Sequence, residues 1–382
     1  MKTLLITENF PPKPGGSGRW FWELYSRLPK SQYSVLAGQN PGAELFDAES
    51  SLHISRHNLS SPEWGFVSVK GIAFYLRTIK LIYKQIKLQK ITALHCGRVL
   101  PEGVMAWLLN LMTGISYSCY VHGEDLETAA SSREQYFLCR QVIKRASKII
   151  CNSQNSASLV AKFGQAARLK TVVLHPGVDS QKFMPVPRNI EILTRLAWLD
   201  KKVVLTVGRL QARKGQDMMI RALPAIKKDI PNILYAVVGD GDCREMLHKL
   251  AIDLDVQDNV QFLAEISDDE MIHCYQQCDL FILPNRTIGN DIEGFGMVLV
   301  EAQSCGKPVI AGDSGGTKET LVDGQTGFII DATKPEPVAS AVISILNDEQ
   351  KLTTMSEQAR LHVQSSLDWQ PLVGQAISIF KS

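Results

Sequence analysis

No stretch of about 18 consecutive apolar residues occurs in the 382-residue chain, so no membrane-spanning helix is expected. The opening MKTLLITENF has only a short apolar run before Glu8 and Pro11; it reads as a buried first strand, not a secretory leader. Metal-site cysteine spacing is missing too: the eight cysteines are scattered, and the nearest pair, Cys274 and Cys278, has no second pair beside it. Reduced, mostly buried thiols are expected. Gly239-x-Gly241 lacks the third glycine of a dinucleotide fingerprint, because Arg244 stands there. There is no short tandem repeat, and no nucleic-acid-binding motif is recognisable.

Net charge is also small, at +2, but it is unevenly spread. Residues 1–190 hold 23 Lys and Arg against 12 Asp and Glu, and the remainder 18 against 27, so the halves stand at +11 and −9. Two windows contain no acid, between Glu63 and Glu102 and between Glu134 and Asp179. The first includes RTIKLIYKQIKLQK, in which Arg77, Lys80, Lys84 and Lys87 share helical spacing with Ile79, Ile82, Tyr83 and Ile86. Such a helix can lie on an anionic membrane surface. The plainer reading is a solvated helix covering a sheet.

Apolar runs alternate with helical stretches at Thr3–Ile6, Ser34–Ala37, Ala93–His95, Ser116–Val121, Lys148–Cys151 and Thr171–Leu174. After a polar passage around Pro185–Lys202 they resume at Val203–Val207, Leu234–Val238, Val260–Leu263, Leu280–Leu283, Pro308–Ala311 and Gly327–Ile330. The alternation predicts an α/β chain of two Rossmann-like, doubly wound parallel-sheet domains facing across a cleft. The expected boundaries are 1–185 and 186–367, with an apolar helix from Asp368 to the C-terminus. Ligands of such sheets bind beyond the carboxyl ends of strands, so the loops there are the ones to inspect.

The densest motif is EGFGMVLVEAQSCGKPVIAGDSGGTKETLVDGQTGFII, which sets Glu293 and Glu301 eight residues apart. A turn at Gly294 and Gly296 that opens onto a helix near Phe295 would present backbone N–H groups to an anion. Glu301 would then fall nearly two turns in, so the two carboxylates bracket an elongated ligand. Otherwise Glu293 is a helix cap and Glu301 a solvated helix residue. VVLTVGRLQARKGQD places Gly208, Arg209 and Lys214 past a strand, where two cations can grip adjacent phosphates and offset the charge of a departing diphosphate. Gly15-Gly16-Ser17-Gly18 and Arg19 follow the first strand, a backbone open to close ligand approach unless it is simply a mobile loop. Trp20, Phe21 and Trp22 read as the packed face of the next helix. His122 ends an apolar strand in CYVHGEDLE, a place where histidine is often structural, and Glu124 and Asp125 follow it. Asp240-x-Asp242 and Asp253-x-Asp255 read as a turn and a polar helical stretch, not as metal ligands. Arg286 belongs to phosphate, acceptor or solvent.

The string from Glu293 to Phe328, with PVIA at Pro308 to Ala311, SGG at Ser314 to Gly316, Glu319-Thr320 and the DG-x-TG-F element from Asp323, resembles the E-x7-E signature of retaining glycosyltransferases of family 4. Gly208-Arg209 with Lys214-Gly215, and the HPGVD turn at His175 to Asp179, resemble further elements of that family. The resemblance implies the GT-B fold and transfer of a hexose from a nucleotide sugar with the anomeric configuration retained. It implies that Glu293 holds hexose hydroxyls and Glu301 the ribose. Backbone amides of Phe295, Gly296, Met297 and Val298 would meet the phosphates and sugar, and Arg209 and Lys214 the leaving diphosphate. Gly16, Gly208 and Gly239 would line the donor. His122 would reach the transferred sugar, and with Gly15 and Arg19 would face the acceptor. No metal and no separate cofactor is implied. A UDP-hexose, first UDP-glucose, is the expected donor. GDP-mannose is the alternative, because RKGQD and PNRT also resemble mannosyltransferases acting on phosphoinositides. The expected acceptor is a lipid-linked or polysaccharide hydroxyl in cell-envelope or exopolysaccharide synthesis, reached from the cytoplasm, with the protein peripheral on the membrane's inner face. A sugar-nucleotide 2-epimerase and a non-catalytic scaffold of the same fold are the remaining alternatives.

Overall fold

The computed structural model describes residues 2–60, 66, 68–123, 126–127, 132–264 and 266–381. The chain divides into two compact units, Met1–Pro176 with Leu372–Ser382, and Gly177–Pro371. The first holds a parallel sheet of β1 (Thr3–Thr7), β2 (Tyr33–Gly38), β3 (Ile54–His57), β4 (Ala93–Cys96), β5 (Ser116–Val121), β6 (Lys148–Cys151) and β7 (Thr171–Val173). Its order is β3-β2-β1-β4-β5-β6-β7. The second holds β8 (Lys202–Val207), β9 (Ile233–Val238), β10 (Val260–Leu263), β11 (Leu280–Leu283), β12 (Val309–Gly312) and β13 (Gly327–Ile330), ordered β10-β9-β8-β11-β12-β13 and also parallel. Each sheet reverses its winding once, between β1 and β4 and between β8 and β11. Those reversals are the switch points where ligands of such sheets bind.

The strands form where the sequence is apolar without interruption, because helices cover both faces of a parallel sheet. β1, β2, β9 and β11 are buried at every position. The polar ISRH stretch lacks such a run, yet it forms the edge strand β3, half-buried throughout. Arg56 explains why it holds there: its guanidinium bonds both oxygens of Asp47 and the carbonyls of Gly38 and Pro11.

Trp20 and Phe21 are 1% exposed on the helix Gly16–Ser26 and pack on Tyr120 and His122. The same unit buries Tyr25 and His95, joined by a 2.6 Å hydrogen bond. Burial and the nearby Lys148 push the His95 imidazole down to about 3, so this histidine stays neutral and structural. Phe380, from the C-terminal helix Trp369–Lys381, packs on Tyr25, Tyr33 and His95, and Lys148 donates to the Ile379 carbonyl.

The sequence placed the end of the first domain at 185; the compact units divide at 176. Val178 pairs with Asp368, Phe183 joins the core of the second unit, and Arg360 donates to the carbonyls of Ser180, Phe183 and Ser304. All eight cysteines are free, and only Cys243 is not fully buried. Burial raises the Cys274 and Cys278 thiols to about 12, which leaves both unreactive at neutral pH. No helix among the described residues is long and apolar enough to cross a membrane.

Candidate active site

The switch point of the second unit is built from two loops. One follows β8 and runs from Gly208 through the 3₁₀ turn Ala212–Lys214 into the helix Gln216–Asp229. The other follows β11 and runs from Pro284 to Gly296, where the helix Met297–Ser304 begins. Gly296 has φ 94°, outside helical space, which is why the helix opens two residues later than the expected Phe295. Leu299 N–H donates to the Gly296 carbonyl, while the N–H groups of Met297 and Val298 have no backbone acceptor among the described residues and sit at the positive end of the helix dipole.

These loops bring together residues far apart in the chain. Lys214 Nζ lies 2.6 Å from Glu293 Oε2, and Arg213 Nη1 bonds the same oxygen. Arg213 Nε also lies 2.8 Å from Asp291 Oδ1. Burial alone would raise the Glu293 carboxyl, but Lys214 and then Arg213 more than offset it and hold it below the usual carboxylate range. Arg209 is exposed, and its side chain makes no ion pair among the described residues. Arg286 is claimed by Asp217 through a two-pronged pair at 2.8 and 3.0 Å, and its N–H donates to the Arg213 carbonyl. It is a brace between the two loops and not a loose surface arginine.

Three glycines grip the second loop. A Cβ built on Gly215 would stand 1.7 Å from the Pro284 carbonyl oxygen, on Gly312 1.8 Å from that of Asn285, and on Gly315 1.9 Å from that of Glu293. Only hydrogen fits at these contacts. Asn285, 1% exposed, completes the clamp by donating to Ser314 O and accepting from Gly312 N–H. The loop carrying Glu293 is therefore fixed by backbone on three sides.

Glu301 lies in the second turn of the helix that this loop opens. It is 2% exposed on the inner side of the helix Met297–Ser304, and its Oε2 accepts from the Tyr275 hydroxyl at 2.7 Å. Gly208 and Gly239 lie at the carboxyl ends of β8 and β9, joined where Gly208 N–H donates to Val238 O and Leu210 N–H to Asp240 O. Phe295 is buried in the unit's core.

In the first unit, His122 directly follows β5 and is 8% exposed. Its Nε2 lies 2.8 Å from the Gly97 carbonyl oxygen, which can only accept, so Nε2 carries a proton. Trp20 and Phe21 meet its ring nearly at right angles. Gly15 precedes, and Gly16 opens, the helix Gly16–Ser26; both are exposed, and Arg19 on that helix lies 3.9 Å from Glu23. Glu124 and Asp125 lie outside the described residues.

Sequence reading places Pro284 to Thr287, Asn285 among them, near the cleft, but gives no role to Arg213, Asp291 or Asp217. Arg213 had a signal in its position beside Lys214, but nothing local shows which carboxylates it meets.

Residues 14–182 match the family model described as Glycosyltransferase Family 4, and residues 191–362 the one described as Glycosyl transferases group 1. A GDP-mannose-dependent alpha-(1-6)-phosphatidylinositol monomannoside mannosyltransferase from Mycolicibacterium smegmatis is 32% identical over 96% of this chain and 94% of its own length. The chain belongs to the family 4, group 1 glycosyltransferases. The protein of the same description from Mycobacterium tuberculosis is 30% identical over 98% of this chain and 96% of its own. Among solved structures, Anabaena Alr3699/HepE in complex with UDP superposes with a TM-score of 0.83 at 20% identity, covering all of both chains. That likeness shows the GT-B fold of this glycosyltransferase, in which each unit is one Rossmann-like domain.

Proposed function

We propose that this glycosyltransferase moves mannose from GDP-mannose to a hydroxyl of a phosphoinositide-type membrane lipid, with retention at the anomeric carbon and without a metal ion. The observation that carries the donor site is the meeting of Glu293 with Lys214 on the loops that lead to the first amides, Met297 and Val298, of the helix Met297–Ser304. A diphosphate set on those amides would draw on Arg209 and Lys214, whose charge offsets the leaving group as its own charge grows. Glu293 would then take the hexose hydroxyls. The family resemblance supplies the remaining step: attack from the leaving-group face, with a donor phosphate oxygen accepting the acceptor's proton and His122 near the reacting carbon.

UDP-glucose was the first expectation for the donor, and GDP-mannose replaces it. Relatives at 30 and 32% identity over nearly the whole chain are named as GDP-mannose-dependent. The likeness to the UDP-glucose complex of Alr3699/HepE is at 19% identity and speaks to the fold alone. In thermal unfolding, GDP at about 100 times its dissociation constant adds about 2.7 kcal/mol to the unit that binds it, a shift of several degrees. We expect GDP to stabilise more than UDP at equal concentration, with EDTA making no difference; stabilisation by UDP alone returns the reading to UDP-glucose.

A lipid acceptor also suits the helix Val69–Gln89. Ser68 caps it by accepting from Gly71 N–H, and Phe74, Thr78, Ile82 and Ile86 face inward. Its outer face mixes Val69, Leu76 and Leu88, 84, 67 and 68% exposed, with exposed Lys70, Arg77, Lys80, Lys84 and Lys87. Such a face seats on anionic headgroups. Charge reversal of Lys80, Lys84 and Lys87 together is expected to abolish sedimentation with anionic vesicles, and unchanged sedimentation removes the membrane from the proposal.

A further inference from the structure

We infer that Arg213 is a positioning residue: it holds the Glu293 carboxylate in place when a donor diphosphate draws Lys214 away. The inference rests on the donor-site reading above. Among the described residues Glu293 Oε2 has two cationic partners, Lys214 Nζ at 2.6 Å and Arg213 Nη1. They differ in kind. Lys214 is a point charge on a flexible stem and can turn to a phosphate without leaving its helix. Arg213 is a planar fork, and its other prong is committed to Asp291 Oδ1 at 2.8 Å. Its carbonyl accepts from the N–H of Arg286, itself paired with Asp217. The guanidinium therefore spans the two carboxylates that flank buried Ile292, and cannot follow the diphosphate without releasing the loop.

The charge balance agrees. The four groups Arg213, Lys214, Asp291 and Glu293 sum to zero, so moving Lys214 onto a phosphate leaves Glu293 with Arg213 as its cation. A half-buried carboxylate without a counter-charge takes up a proton more readily. Of the other charged groups on these loops among the described residues, Arg209 is exposed and is assigned to the diphosphate, Lys318 faces Asp313, Arg286 faces Asp217, and Glu319 lies on the turn that follows Gly316.

The test uses the full chain with R213M and R213K, reading kcat, donor KM and the pH profile of kcat, which reports the donor-bound enzyme, with GDP-induced thermal stabilisation as the control. We expect R213M to lower kcat about 100-fold and to move the acid limb of kcat to higher pH. R213K is expected to recover part of both, and GDP should stabilise either variant as it does the wild type. A purely structural brace would not move the acid limb. An unmoved limb in both variants, or a loss confined to donor KM, overturns the inference. If the wild type itself responds to neither GDP nor UDP, the donor-site reading fails first and takes this inference with it.

Discussion

Replacing Glu293 by Gln is expected to cut transfer about 10²- to 10³-fold while the protein stays folded and binds GDP at least as tightly as before. The loss follows from removing a charged acceptor at the sugar end of the site, where interactions strengthened in the transition state count most. The second half of the prediction comes from the ion pairs. Glu293 competes with a phosphate for Lys214, which lies 2.6 Å from it. Gln carries no charge to compete with, so the amine is freer for the diphosphate and GDP affinity should rise by a few-fold. The amide keeps the side chain's shape, and Gly315 and Gly316 hold the backbone of residue 293 whatever its side chain, since Gly316 N–H donates to Glu293 O at 2.9 Å. Calorimetric titration with GDP beside a transfer assay separates the two halves. Weakened GDP binding in E293Q would show that the carboxylate assembles the phosphate site instead of competing with it.

Gly215→Ala is expected to have the largest effect on stability. Gly215 lies between the turn Ala212–Lys214 and the helix Gln216–Asp229 with φ 76°, and an added Cβ would stand 1.7 Å from Pro284 O and 2.6 Å from its carbonyl carbon. Both partners are backbone, so nothing can rotate out of the way. Either the loop bearing Lys214 lifts off the loop bearing Glu293, or β11 shifts. Strain at positive φ adds to the clash, and the sum is about 3–5 kcal/mol, roughly 10 °C in the unfolding of a unit of this size. Gly374→Ala is the control: Gly374 is exposed within the helix Trp369–Lys381 and nothing lies within 4 Å of its Cβ position. It should be neutral or slightly stabilising. Equal losses in both variants would mean that close backbone approach at Gly215 is not what joins the two loops.

Much of this architecture was legible in the sequence because a parallel sheet covered on both faces writes itself as continuous apolar runs. Ser116–Val121, Lys148–Cys151, Val260–Leu263, Leu280–Leu283 and Gly327–Ile330 stand as strands at the residues expected. β3 was hidden because an edge strand needs only half its surface buried, and its anchor is an arginine. The burial of Trp20 and Phe21 was readable from their place after the glycine segment.

The site was legible in its parts and not in its pairing. The sequence assigns Lys214 to the diphosphate and Glu293 to the hexose of a donor, and the structure sets the two side chains against one another. That contact depends on β8 and β11 being neighbours in the sheet, which no local pattern records. Glu301 shows a different limit. Spacing leaves it either against a ligand or solvated on its helix; it is not solvated, because the helix Met297–Ser304 is buried over most of its surface and Tyr275 donates to its carboxylate. The glycines at 215, 312 and 315 were visible as motif letters, but the carbonyls they make room for were not.

The central claim, mannosyl transfer to a phosphoinositide-type lipid, is tested most directly by supplying the purified protein with GDP-mannose or UDP-glucose, a phosphatidylinositol mannoside in anionic vesicles, and EDTA, and determining the linkage of the product. The account predicts an α-linked mannosyl lipid from GDP-mannose, formed equally well with EDTA present. A glucosyl product from UDP-glucose alone, a β-linked product, or dependence on a divalent cation would contradict it.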